Sequence, residues 1–352
     1  MRAPWLGFLV PTVALLCVVA CWAADDYPVF VYPCPRAGAA IVLEGVPNEP
    51  AWAEAPLVTG FTYYDRSERV PVQTFFRALY DDRFLYFGVT CEEPAMDRLA
   101  VTPSWRDATA IFATEAVEVF VDPAHGHARY FQFAFDAAGD VYDARLTDPM
   151  WNAAALAATS RGESAWFLEA AIPWADLGIE AARPGQVVGF NLCRDRYLGA
   201  AREWTNWSQT KANFHDPERF AHLVLSPTPQ TLAALTDDFR KGERRGPLYV
   251  FSGEGFAGVT YRAMAERLLQ TFDDCAAVFK TIRDEQTSPQ LAAALDEQLP
   301  AIAGKVTPLR EALASASVVD AGLWAEVDRE VTAALAELSD AIWEARIQAL
   351  LE

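Results

Sequence analysis

The sequence predicts a mainly β, jelly-roll-like β-sandwich followed by a smaller all-α helical bundle. Two observations carry this. Before about residue 227, short runs of alternating apolar and polar residues are separated by turn residues. After it, Ala, Leu and Glu dominate, and apolar residues recur every three or four positions. Ser226-Pro227-Thr228-Pro229 marks the seam, because two prolines interrupt regular structure.

In the β part, 72–80 and 84–90 are rich in aromatic and β-branched residues, and Asp81-Asp82-Arg83 between them predicts a hairpin. A short strand is expected over 116–122. A second hairpin is expected from 130–136 and 140–146 around Ala137-Ala138-Gly139. Further strands are expected over 166–172, 187–194 and 220–225. This many short strands with turns between them suits a sandwich of the jelly-roll kind. In the helical part, the stripes Met264 to Ile282, Leu291 to Leu313 and Leu323 to Ile342 predict an antiparallel bundle. Pro300 and Pro308 should break or kink the middle helix. The glycine-rich segment 242–258 shows no periodicity and is expected to be a loop. The expected division is therefore 1–24, 25–226 for the sandwich, 227–260 as linker and loop, and 261–352 for the bundle.

Residues 1–24 have the pattern of a secretion signal. Arg2 precedes an apolar run from Trp5 to Ala20, small residues follow, and Asp25-Asp26 begins the charged chain. Pro11 interrupts the run, and it is shorter than the roughly 20 residues a spanning helix needs. Cleavage after Ala23 or Ala24 would release a free chain. Val18-Val19-Ala20-Cys21 also reads as a lipobox, with Cys21 lipidated as its one membrane attachment. Either way the expected location is outside the cytoplasm: extracellular, periplasmic or tethered to the cell envelope.

The formal charge of −19 argues against nucleic acid and anionic membrane surfaces as partners. Cys34, Cys91, Cys193 and Cys275 show no CxxC pair and no zinc spacing, which leaves disulfides and buried thiols both open. There is no Gly-x-Ser-x-Gly, P-loop or His-Glu-x-x-His motif. His125-Gly126-His127 reads as a polar turn after Asp122-Pro123; a metal site would need more ligands beside it.

Strand parity is more informative. In 117–122, the valines share one face, while Glu118, Phe120 and Asp122 share the other. In 131–136, three phenylalanines oppose Gln132, Ala134 and Asp136. In 167–172, Glu169 stands opposite Leu168 and Ile172. Each strand thus pairs an apolar core face with a sparsely polar one. Acids and an amide among aromatic residues suit a polyol, whose hydroxyls need such partners and whose C–H faces stack on rings. An ordinary solvent-washed sheet face would show the same pattern.

Several stretches, in order over residues 38–226, carry a resemblance. They are Ile41 to Trp52, Leu79 to Tyr86, Glu115 to Asp122, Glu169 to Trp174, Gly189 to Asn191, and Trp207-Ser208 followed by His215 to Phe220. Together they make the chain resemble family 9 carbohydrate-binding modules; the helical part carries no such likeness. The resemblance implies a jelly-roll-like sandwich that binds sugar without cleaving it, with two tryptophans stacking on the terminal sugar and a glutamate bonding it. Glu118 matches that glutamate. Trp105 is the one tryptophan between residue 53 and its strand, at a longer spacing than the family's. Phe214, with Trp207 nearby, stands where the second tryptophan falls. The resemblance also implies structural calcium, although Glu44 and Asn48 replace aspartates of the opening motif. Trp52, Trp166 and Trp174 read as core.

The expected function is non-catalytic binding of a polysaccharide or oligosaccharide by an exported protein, in support of polysaccharide recognition or catabolism. Glu118, Gln132 and Glu169 would bond hydroxyls, and Trp105, Trp207 and Phe214 would stack. Two alternatives stand beside it. A glycoside hydrolase would hold the Glu118 and Glu169 carboxyls about 5–5.5 or 6.5–9.5 Å apart across a cleft. A structural or interaction protein, its sandwich having lost its ligand, would dock another protein through an exposed apolar stripe along residues 319–347.

Overall fold

A computed structural model of the protein describes residues 29–102, 104–198, 201–241, 248–256, 258–286 and 288–351. The stretch 1–24, expected to be a secretion signal and with Cys21 included, lies outside the described residues. The strands in chain order are β1 (Val29–Cys34), β2 (Thr62–Tyr63), β3 (Thr74–Tyr80), β4 (Phe84–Glu92), β5 (Ala116–Asp122), β6 (Phe131–Asp136), β7 (Val141–Arg145), β8 (Leu156–Arg161), β9 (Ala165–Pro173), β10 (Val187–Leu198), β11 (Ala201–Asn206), β12 (Ala221–Leu225), β13 (Leu248–Ser252), β14 (Gly255–Phe256) and β15 (Val259–Thr260). The helices are α1 (Pro229–Lys241), α2 (Tyr261–Asp284), α3 (Pro289–Ser315) and α4 (Ala321–Leu351).

The strands form a two-sheet sandwich. The larger sheet runs β15-β14-β13-β1-β12-β10-β5-β6-β7, with β11 paired to β10 and β2 paired to β11. The smaller runs β3-β4-β9-β8. Alternation decides which side chains meet between them. Val117, Val119 and Val121 from β5, and Phe133 and Phe135 from β6, face Phe87, Val89, Leu168 and Ile172 from the smaller sheet in one core. Burying each large apolar side chain is worth roughly 1.5–3 kcal/mol. The expected turns close both hairpins. Asp81 Oδ1 accepts from Arg83 N and Phe84 N, each at 2.7 Å. Asp136 Oδ1 accepts from Ala138 N and Asp140 N, and Gly139 takes φ 90°.

α2, α3 and α4 pack on one another around a second core that includes Phe272, Leu295, Val306, Val327, Val331 and Leu338. Pro300 and Pro308 do not break α3, which runs unbroken through both. Both prolines are exposed, so water can reach the carbonyls they leave unbonded, while Ile302, Val306 and Leu309 hold the helix to the bundle.

Within 227–260, expected as linker and loop, most of the described residues form regular structure instead. α1 lays Leu232 and Leu235 over Val31 and Val224 on the outer face of the larger sheet. Leu248-Tyr249-Val250-Phe251 forms β13, which pairs in parallel with β1. Among the described glycines after it, Gly255 opens β14 and Gly258 follows that strand, with φ of 154° and 73°. Four β-competent residues outweigh nearby glycines once a strand edge is available. The four cysteines among the described residues are free thiols.

Candidate functional site

β5 organises the outer face of the larger sheet. Its alternate residues Ala116, Glu118, Phe120 and Asp122 point away from the core, and each meets a different environment. Ala116 lies under a short 3-10 turn, Thr109–Ala113, with Ile111, Ala134 and Tyr142. Phe120 packs with Tyr130, Cys193, Phe214 and Phe220. Glu118, between these two apolar clusters, faces a cleft.

The cleft consists of two adjoining hollows of about 260 Å³ each. Glu118, Phe112 and His215 line both. Gln132, Tyr142 and Thr147 complete one; Tyr64, Asp195, Trp204 and Phe214 are among the residues that complete the other. Glu118, Gln132, Tyr142, Asp195 and Trp204 come from β5, β6, β7, β10 and β11, so a rigid sheet sets their spacing. Tyr64, Trp204 and Phe214 form a continuous aromatic wall, with ring centroids 5.6 Å apart for Tyr64–Trp204 and 6.2 Å for Tyr64–Phe214. Phe112 and Tyr142 pair edge to face at 4.9 Å.

The polar floor is buried. Glu118 is 4% exposed and Asp195 is 3% exposed. Gln132 Nε2 donates to Glu118 Oε2 at 2.5 Å. Glu118 and Asp195 lie within hydrogen-bonding reach of each other, a contact that requires a proton on one of the two carboxyls. Burial pushes Glu118 up to about 7, against the lowering effect of those two bonds. Burial and the adjacent Glu118 charge raise Asp195 well above the usual carboxylate range. Asp195 Oδ2 is buried and accepts no hydrogen bond. His215, bonded through Nδ1 to the Tyr130 hydroxyl at 2.9 Å, is held below its ordinary value by burial. The floor therefore offers acceptors, one shared proton and an amide between aromatic walls.

Of the six side chains expected from sequence, the fold brings Glu118, Gln132 and Phe214 to this cleft and places the other three elsewhere. Glu169 lies on β9 in the opposite sheet. It is fully buried and accepts from Glu44 N, Gly45 N and Trp52 Nε1 at 2.8, 2.9 and 3.0 Å. It clamps the opening segment to the smaller sheet, and its complete burial closes it to a ligand. Trp207 is 1% exposed in the main core against Phe30, Phe76 and Phe190. It follows β11 with the parity opposite to Trp204, so Trp204 takes the outward place. Trp105 is 77% exposed and does not line the cleft. Trp52, Trp166 and Trp174 are core residues.

Sequence reasoning missed Tyr64, Phe112, Tyr142, Asp195, Trp204 and His215. The alternation Arg202 to Trp207 was the available signal for Trp204. Asp195 is visible only once β10 is known to extend past Arg194.

Glu118 and Glu169 lie on the outer faces of opposite sheets, so they cannot flank one glycosidic bond. Glu118 and Asp195 do share a cleft, but as a hydrogen-bonded pair they are closer than either hydrolase geometry. Glu44 and Asn48 are exposed. Among the described residues, one group of three His, Cys, Asp or Glu side chains comes close enough to share an ion, and Glu44 is not part of it. Along residues 319–347, Trp343 is the large hydrophobic most open to solvent, with Ile347 one turn further on. Val319, Val327, Val331 and Leu338 are buried within the bundle.

Residues 43–228 match the family model described as carbohydrate family 9 binding domain-like. Among solved structures, the chain is similar to a family 9 carbohydrate-binding module from Caldicellulosiruptor kristjanssonii in complex with cellotriose. Identity is 15% and the TM-score 0.44, over 57% of this chain and 95% of that one. The complex of a family 9 module from the same organism with glucose gives 14%, a TM-score of 0.42, and 57% and 97% coverage. No curated protein matches the chain.

Proposed function

The chain belongs to the carbohydrate family 9 binding domain-like family, and from that premise we propose that the cleft at Glu118 binds carbohydrate without cleaving it. The observation that carries this reading is the pairing of a buried polar floor with aromatic walls. Glu118, Asp195 and Gln132 present acceptors and an amide to hydroxyls. Trp204, Tyr64 and Phe214 offer ring faces and edges to sugar C–H groups. Each hollow is slightly below the roughly 300–1,000 Å³ typical of small-molecule sites. A chain end or one to two sugar units is the ligand that fits. The exported location and a role in polysaccharide recognition or catabolism belong to the same reading.

A glycan array probed with the wild type and with Trp204→Ala tests it. The wild type should retain at least one class of plant, algal or host glycan. The variant should lose roughly tenfold or more, since stacking contacts of this kind contribute about 1 kcal/mol or more beyond area burial. A wild type that binds no glycan on the array would sink the reading. Undiminished binding by Trp204→Ala would move the site off this cleft.

A further inference from the structure

In the sequence Asp122 stands three positions before His125, and His127 two after it; the fold gathers the three side chains together. Asp122 on β5 pairs with Gly189 on β10, and Gly189 pairs with His222 on β12. The three stand in one row on the outer face of the larger sheet. Gly189 leaves a gap in that row. A Cβ there would come within 2.9 Å of His125 Nδ1, so a residue without a side chain is what lets the His125 ring lie against the sheet. The ring centroid of His125 is then 4.0 Å from that of His222 and 4.3 Å from that of His127. One ligand atom from each of Asp122, His125 and His127 falls within 4.8 Å of the others.

Asp122 supplies the independent pointer to a cation. It is fully buried. Its Oδ2 accepts from His127 N at 2.7 Å, while its Oδ1 has no hydrogen-bond partner. A buried carboxylate oxygen without a donor is costly, and a positive ion is what satisfies it. His127 is oriented for the same purpose. Its Nδ1 lies 3.0 Å from the Pro217 carbonyl oxygen, and donation there leaves Nε2 as the ligand atom. Both histidines hold left-handed backbone, with φ of 48° and 58°, which non-glycine residues adopt uncommonly.

We propose that Asp122, His125 and His127 bind a first-row transition ion of the zinc type, with His222 as a positioning residue under the His125 ring. Two imidazole nitrogens and one carboxylate oxygen suit Zn²⁺, Cu²⁺ or Ni²⁺, whereas Ca²⁺ takes six to eight oxygens. Three protein ligands leave a fourth position for water. The site is separate from the cleft: Phe120 and its aromatic cluster stand between Asp122 and Glu118 along β5.

Calorimetric titration of the untagged, chelator-treated full chain with ZnCl₂, beside CaCl₂, tests this without any sugar present. One equivalent of Zn²⁺ should bind, and CaCl₂ should not compete. His125→Ala and His127→Ala should each weaken binding at least tenfold while keeping the wild-type circular dichroism melt. If either variant fails to fold, the visible spectrum of the Co²⁺-loaded wild type decides: nitrogen and oxygen ligation without thiolate bands supports the site. No zinc binding by the wild type, equal binding by a folded His125→Ala/His127→Ala double variant, or thiolate bands from the free cysteines would overturn it.

Discussion

Glu118 and Asp195 hold protons in the folded chain that they would release when unfolded. Both carboxyls are raised, mainly by burial. The stability tied to them is fully present below the unfolded carboxylate values near 4. It is lost as pH rises through the folded values, about 7 for Glu118 and a raised one for Asp195. Stability measured by urea unfolding should therefore fall between pH 5 and 8. Glu118→Gln should flatten that slope and stabilise the chain at pH 8 by about 1–3 kcal/mol. Equal slopes in the two proteins would show that the pair is not buried as described. At this scale the sequence was partly legible. Parity placed Glu118 and Gln132 on one outer face because alternation is a local property. Parity was also right that Glu169 faces away from Leu168, but which sheet carries it depends on contacts 124 and 125 positions away, at Gly45 and Glu44.

At the scale of the element, β10 carries more than its share. Its outward Asp195 serves the cleft, while its inward Arg194 and Arg196 anchor one end of the sandwich. Arg194 Nε donates to Glu115 Oε1 at 2.7 Å, and Arg196 Nε donates to Glu93 Oε2 at 2.7 Å. Trp166 Nε1 from the opposite sheet also donates to Glu115 Oε1, at 3.1 Å. Glu93 and Glu115 are fully buried, and Arg194 is 1% exposed. Removing one member strands a buried charge. Arg194→Leu should therefore cost about 3–5 kcal/mol in denaturant unfolding; a loss below about 1 kcal/mol would mean that the network is solvated. Long periodic elements such as α2 and α4 were plain in the sequence. β8 and β13 were not: each is short, and each exists because a neighbouring strand offers hydrogen bonds, which a local pattern does not record.

Across the whole molecule, the sandwich and the bundle are joined by structure rather than by a tether. β13 adds to the larger sheet beside β1, and Phe251 from it enters the main core at 3% exposure. The chain then turns through β14 and β15 directly into α2. Leu57 of the sandwich packs against the bundle core, and Arg69 and Arg329 bond Asp328 and Glu92 across the junction. Those ion pairs keep partial contact with solvent and are worth little, about 1 kcal/mol each, so the apolar and strand contacts carry the join. Phe251→Ala should cost about 3–5 kcal/mol, and a cost near zero would return 248–252 to the status of a loop.

All three scales converge on the Glu118 cleft, and titration calorimetry there tests the account most directly. A soluble oligosaccharide that the wild type binds should be titrated into the wild type, Glu118→Ala and Trp105→Ala. The account predicts that Glu118→Ala abolishes measurable heat, while exposed Trp105→Ala binds as the wild type does. Wild-type affinity in Glu118→Ala, or loss confined to Trp105→Ala, would contradict it.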